Sequence, residues 1–276
     1  MSKELLNSIS AWMIDIDGCL MRASKAGGAG GTPMDKAGEL IAWLHDAGHP
    51  VIVCTNASEK PPAEYAAYLR EKGIPVRDEE FITAGSAAAD FVAHHHAGGK
   101  ILVLGTEGIR TPLRELGGQL IEPGDGLADA VIVGAGENFT RAELNAAALS
   151  VEAGAPLYTT VAAQWFHGGT GKSICISAAM AHAVGWVTDT EPQVLGKPST
   201  GLGETLIRRL GVPPKQIGIV GDATAEIDLA HLMGATSVLV LSGAVSEDQL
   251  NNLTGDHRPD VVLRDVAELY SHLANT

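Results

Sequence analysis

The chain has 276 residues, 45% of them apolar, and a formal net charge of −14. That length suits one large domain or two ordinary ones with an ample core, and the negative field makes nucleic acid and anionic membrane surfaces poor partners. No apolar stretch reaches the length of a membrane span, Met1–Leu6 lack a signal-peptide core, and Cys19, Cys54 and Cys175 form no Cys-x-x-Cys pair, as expected of reduced thiols in a cytoplasmic protein.

In chain order, the first informative segment is Trp12-Met13-Ile14-Asp15-Ile16-Asp17-Gly18. An apolar run closed by Gly predicts a buried strand entering a turn. Two carboxylates at its end are costly to bury unless a divalent cation compensates. The expected strands are 12–16, 51–55, 101–104, 130–134, 157–160, 217–221, 237–241 and 260–263. Helical patterns at 33–47, 61–72, 85–96, 140–153, 173–184, 200–210, 225–233, 246–252 and 265–273 alternate with most of them. This alternation implies an α/β fold with parallel sheet and flanking helices. Strand 51–55 ends in Thr55-Asn56, and strand 217–221 ends in Gly221-Asp222, with Glu226 and Asp228 a turn later. Leu195-Gly196-Lys197-Pro198-Ser199 lies between these two. Carboxylates, a hydroxyl and a lysine brought to the C-terminal edge of one sheet, where open α/β sheets bind ligands, would suit phosphoryl transfer.

Asp15-x-Asp17-Gly18, Thr55-Asn56, Gly196-Lys197-Pro198 and Gly221-Asp222-x-x-x-Glu226 resemble the four ordered motifs of the haloacid dehalogenase-like (HAD) superfamily. The Thr-Asn pair and the Gly-Lys-Pro-Ser string are similar to its NagD-like, p-nitrophenylphosphatase branch. The resemblance runs from about residue 10 to 270. It implies a Rossmann-like HAD core over 1–84 and 194–276. It also implies a smaller inserted α/β cap domain of type two over 85–193 that covers the site and selects the substrate.

The resemblance also implies roles. Asp15 would be the nucleophile, forming an aspartyl-phosphate; Asp17 would be the general acid/base. Thr55, Asn56 and Lys197 would bind the substrate phosphate, with the Asn56 amide orienting the nucleophile and Lys197 the fixed cation. Mg2+ would be held by Asp15, the backbone carbonyl of Asp17 and Asp222. The last motif departs from the family form, which carries a second Asp. Here Glu226 stands nearest that place and is expected in the outer shell, with Asp228 as the fallback; an acid in a first helical turn can instead simply face the helix dipole.

Three segments look chemical without fitting a site. Gly168-Gly169-Thr170-Gly171-Lys172-Ser173 resembles a P-loop, but Phe166 stands where that loop needs Gly. It reads as a glycine loop before a helix, at most an anion-holding helix start. His94-His95-His96 reads as a solvated helix end. Ala26-Gly27-Gly28-Ala29-Gly30-Gly31 reads as a flexible flap beside the first motif. The stretch Thr159–His167 also departs from the Thr-Asn-Pro-Asp string of relatives, and Trp165, Phe166 and His167 either stack on a substrate ring or pack the cap core.

Together these features predict a Mg2+-dependent phosphatase acting on a small phosphorylated metabolite, with no nucleic acid or membrane partner; analogy alone allows a homodimer. The rival readings are a haloacid dehalogenase, a phosphoryl-transfer mutase, a receiver-like phosphoacceptor module and a non-catalytic, degenerate HAD protein that binds a ligand. Asp17 favours the phosphatase, because dehalogenation has no alkoxide leaving group to protonate.

Overall fold

The computed structural model describes residues 2–22, 27, 30–168 and 171–275. The chain forms two compact units. The first comprises Met1–Thr55, Ala63–Ile82 and Pro198–Thr276; the second comprises Asn56–Pro62 and Thr83–Lys197.

The chain opens with α1 (Ser2–Asn7), β1 (Ala11–Asp15), β2 (Met21–Arg22), β3 (Thr32–Pro33), α2 (Ala37–Asp46), β4 (Val51–Thr55), α3 (Pro62–Glu71) and β5 (Phe81–Thr83). The second unit then supplies α4 (Ala84–His95), β6 (Lys100–Leu104), α5 (Glu107–Glu115), β7 (Gln119–Ile121), β8 (Ala130–Val133), α6 (Arg141–Glu152), β9 (Leu157–Thr159), β10 (Trp165–Gly168), β11 (Gly171–Ile174), α7 (Ile176–Thr188) and β12 (Gln193–Val194). The chain returns to the first unit for α8 (Thr200–Leu210), β13 (Ile217–Gly221), α9 (Thr224–Met233), β14 (Thr236–Val240), α10 (Glu247–Leu250), β15 (Val261–Leu263) and α11 (Val266–Ala274).

In the first unit the strand order is β15-β14-β13-β1-β4-β5. β1 pairs in parallel with β13 on one side and β4 on the other. Parallel strands covered on both faces read as unbroken apolar runs, and Trp12, Met13 and Ile14 are wholly buried. Gly218 lets β13 pass the Trp12 indole: a Cβ there would stand 2.8 Å from the ring. Because the chain places β4 to one side of β1 and β13 to the other, the strand order reverses at β1. An open α/β sheet forms its crevice at such a point, and β1 ends there on Asp15.

The second unit has its own sheet, β12-β9-β8-β6-β7, in which the paired strands run parallel. Side-chain alternation along β6 and β8 divides its core. Ile101, Val103, Ala130 and Ile132 pack with residues of α4 and α5. Leu102, Leu104, Val131 and Val133 pack with residues of α6 and α7.

Several sequence expectations change. α5 was not foreseen, because Pro112 stands inside it and proline ordinarily ends a helix. Yet Ile109 and Leu113, one turn apart, are both buried, and that spacing is the signal for it. The strands β5 and β7, three residues each, are too short to show a strand pattern in the sequence. Residues 171–174, read as part of a glycine loop and a helix beginning at 173, form β11 of an antiparallel hairpin with β10, and α7 begins at Ile176. Lys172 lies over the Trp165 ring, 4.2 Å from its centroid, so it is not at a helix start. In the triplet His94–His96, His94 and His95 are exposed as expected of a helix end, with His95 stacked on Phe91 at 4.0 Å, whereas His96 is half-buried and bonds the Tyr158 hydroxyl at 2.9 Å. Ala26, Gly28 and Ala29 of the glycine flap lie outside the described residues. The segment Asn56–Pro62, expected with the first unit, groups with the second. There Thr106 Oγ1 donates to Glu59 O at 2.6 Å and Ala135 N donates to Ser58 Oγ at 3.1 Å.

Candidate active site

In the first unit, the register sets Ile14 opposite Val220 and Asp15 opposite Cys54. Neighbouring strands lie about 4.8 Å apart. Thr55, next after Cys54, and Asp222, two residues after Val220, therefore leave the sheet on either side of Asp15. Asp15 is 6% exposed and Thr55 2%, so neither is an ordinary solvated turn residue. Asp17 follows the end of β1 and is half-buried; its Oδ2 accepts a hydrogen bond from Gly27 N at 2.8 Å.

The turn after β1 is shaped around Asp222. Gly18 has φ +76°, a left-handed conformation that favours glycine, and a Cβ on it would overlap the Asp222 carboxylate. A Cβ on Gly243 would overlap the same carboxylate from the loop after β14. That loop also binds it: Ala244 N donates to Asp222 Oδ2 at 2.7 Å, and Val245 N donates to Asp222 O at 2.9 Å. Ser242 Oγ donates to Gly18 O at 2.6 Å, joining the loop after β14 to the turn after β1. Ser242, Gly243 and Ala244 were not singled out in the sequence. A Ser-Gly pair closing an apolar strand was their one local signal.

Glu226 and Asp228 are separated by helix geometry. At about 100° per residue, two residues on α9 point to nearly opposite sides. Glu226 is 4% exposed, and its side chain crosses Gly221 so closely that a Cβ there would overlap it. It is thus folded back onto the end of β13. Asp228 turns away, and its Oδ1 meets His257 Nδ1 at 2.6 Å.

The second unit holds the other two candidates. Leu195 N donates to Thr159 O at 2.9 Å, extending the β12–β9 pairing. Gly196 then passes the Thr160 carbonyl with no room for a Cβ. Next, Lys197 N donates to Asn56 Oδ1 at 2.8 Å and Asn56 Nδ2 donates to Lys197 O at 3.0 Å. Lys197 is 5% exposed, which rules out a solvated surface lysine. The Phe166 and His167 side chains lie outside the described residues, and Trp165 is 39% exposed rather than part of the unit's core.

Among the described residues no three His, Cys, Asp or Glu side chains form a ready metal-binding cluster, and no helix is long and apolar enough to cross a membrane.

A family model described as haloacid dehalogenase-like hydrolase matches residues 12–119, and a second HAD-like hydrolase model matches 194–269. An acid sugar phosphatase of Staphylococcus aureus is 28% identical over 254 residues, covering 90% of this chain and 92% of that protein. NagD from Escherichia coli K-12 shares 25% identity at a TM-score of 0.81, over 94% of this chain and 98% of that one. A glycerol phosphate phosphatase of Mycobacterium tuberculosis, solved in complex with magnesium, has the same fold at a TM-score of 0.82 and 24% identity, over 96% of this chain and 77% of that one. The chain belongs to the haloacid dehalogenase-like hydrolases.

Proposed function

We propose that the protein hydrolyses a small soluble phosphomonoester in two steps, with Asp15 as nucleophile and Asp17 as general acid/base. The observation that carries this reading is a buried carboxylate, Asp15, ending the central strand at the point where the sheet order reverses, flanked by Thr55 and Asp222. An Asp15 oxygen attacks phosphorus, the P–O bond to the leaving group breaks, and Asp17 gives its proton to that oxygen. Asp17 then takes a proton from the water that cleaves the aspartyl-phosphate, releasing inorganic phosphate and restoring both side chains. Thr55 and Lys197 donate hydrogen bonds to the phosphate oxygens, and their burial strengthens each of those bonds.

The donors available suit Mg2+. They are hard oxygens only: two carboxylates, Asp15 and Asp222, and the Asp17 carbonyl. This small ion is usually held by one or two carboxylates with waters completing its shell. Bound there, it would neutralise negative charge on the phosphoryl group and keep Asp15 ionised. Ala244 N anchors one oxygen of Asp222 for this purpose, and Glu226 stands behind as the outer acid. Residues 85–193 are proposed to act as the substrate-selecting cap, and the name of the Staphylococcus aureus relative recommends sugar phosphates as the first substrates to screen.

The decisive experiment is Asp15→Asn. Hydrolysis of p-nitrophenyl phosphate should fall to background while the melting temperature stays within a few degrees of wild type, and acid quenching of wild-type enzyme with labelled substrate should trap label on the protein. Unchanged turnover in Asp15→Asn would remove the nucleophile from the scheme.

A further inference from the structure

Past Leu195 the chain leaves its sheet. Leu195 N still bonds Thr159 O, but Pro198 has no N–H, so ordinary strand pairing cannot continue. Lys197 stands in this gap with both main-chain polar groups needing partners. Asn56, 141 residues away in sequence, supplies both: its Oδ1 takes the N–H and its Nδ2 gives to the carbonyl. A primary amide carries an acceptor and donors on one small plane, so it replaces the missing strand neighbour, and the two partners admit a single amide orientation.

Asn56 is itself held from behind. Ala84 N donates to Ala57 O at 3.0 Å, and Ser58 Oγ accepts from Ala135 N at 3.1 Å. Thr106 Oγ1 donates to Glu59 O at 2.6 Å. The Asn56 side chain is thus presented by a segment bonded to α4 and to the loops that follow β6 and β8. Glycine at 196 is part of the same fit, since a Cβ there would stand 2.9 Å from Asn56 Oδ1.

We propose that Asn56 is a positioning residue for Lys197, gripping its main chain at both polar atoms so that the ammonium is delivered to one place. The inference rests on the reading of Lys197 as the cation that faces the phosphoryl group, and gives Asn56 a task other than orienting the nucleophile. A lysine has a flexible four-carbon stem. Fixing its base is the part of the aim that the main chain can supply, and the remaining freedom lies in the side-chain torsions alone.

The test is a double-mutant cycle with an exchange measurement on the full-length protein. Asn56→Ala should lower kcat/KM for p-nitrophenyl phosphate by about 10²-fold, the scale on which misplaced groups lose rate. On a Lys197→Ala background it should cost less than about threefold, since residues acting as one unit are non-additive. Asn56→Asp keeps the acceptor and loses the donor; its smaller loss should vanish on the same background, and it serves if the alanine variant does not fold. Hydrogen exchange at the Lys197 amide should accelerate in Asn56→Ala while the Leu195 amide stays protected. Equal losses on both backgrounds, or unchanged exchange at Lys197, would overturn the inference and leave the phosphatase reading standing. Full activity in Lys197→Ala would instead defeat the reading of Lys197, and the inference with it.

Discussion

Gly243→Ala tests the carboxylate cradle directly. A Cβ at residue 243 would stand 2.7 Å from both Cβ and Cγ of Asp222 and overlap its Oδ2. Ordinary contact needs about 3.5–4 Å, so Asp222 must retreat by roughly 1 Å or more. The retreat breaks or stretches the 2.7 Å bond from Ala244 N. Hydrogen bonds to a charged group contribute about 1.5–3 kcal/mol, and each 1.4 kcal/mol is about tenfold in affinity. The Mg2+ concentration giving half-maximal hydrolysis of p-nitrophenyl phosphate should therefore rise by roughly 10- to 100-fold. Thermal melting in EDTA provides the control for a collapsed fold. A variant with wild-type melting and an unmoved Mg2+ midpoint would refute both the cradle and the role given to Asp222.

Two further predictions address neighbouring questions. Glu226→Gln should raise the Mg2+ midpoint, whereas Asp228→Ala should leave it unmoved, because Asp228 is engaged by His257; the reverse pattern would restore Asp228 as the outer acid. In the second unit, burial, and then the neighbouring His95, hold His96 below the ordinary histidine pKa of 6.5. The unfolded chain therefore binds this proton more readily than the folded one, so stability rises with pH in this window and falls as pH drops below about 6.5. Melting curves between pH 5 and 8 should show less acid loss in His96→Gln than in wild type, and parallel curves would discount His96.

Much of the candidate site was legible because the relevant features are local. The run Trp12–Ile14 announces a strand buried on both faces. Acidic residues at the end of such a strand are conspicuous because burying charge is unfavourable without compensation. The order of Asp15, Thr55, Lys197 and Asp222 along the chain was likewise visible. What stayed hidden involved either short elements or distant partners. The hairpin of β10 and β11 was concealed by glycines that suggest a loop, and α5 by its internal proline.

Chain periodicity determined the α/β class and the identity of the central strands, because strand and helix periods are written in neighbouring side chains, and the ordered motifs marked the candidate site residues. Tertiary structure alone decided the rest. It reversed the strand order at β1, turned Glu226 toward β13 and Asp228 toward His257, packed Gly18 and Gly243 around one carboxylate, and joined Asn56 to Lys197. Each of these depends on atoms brought together by packing across long stretches of chain, and no local pattern of residues encodes such a meeting.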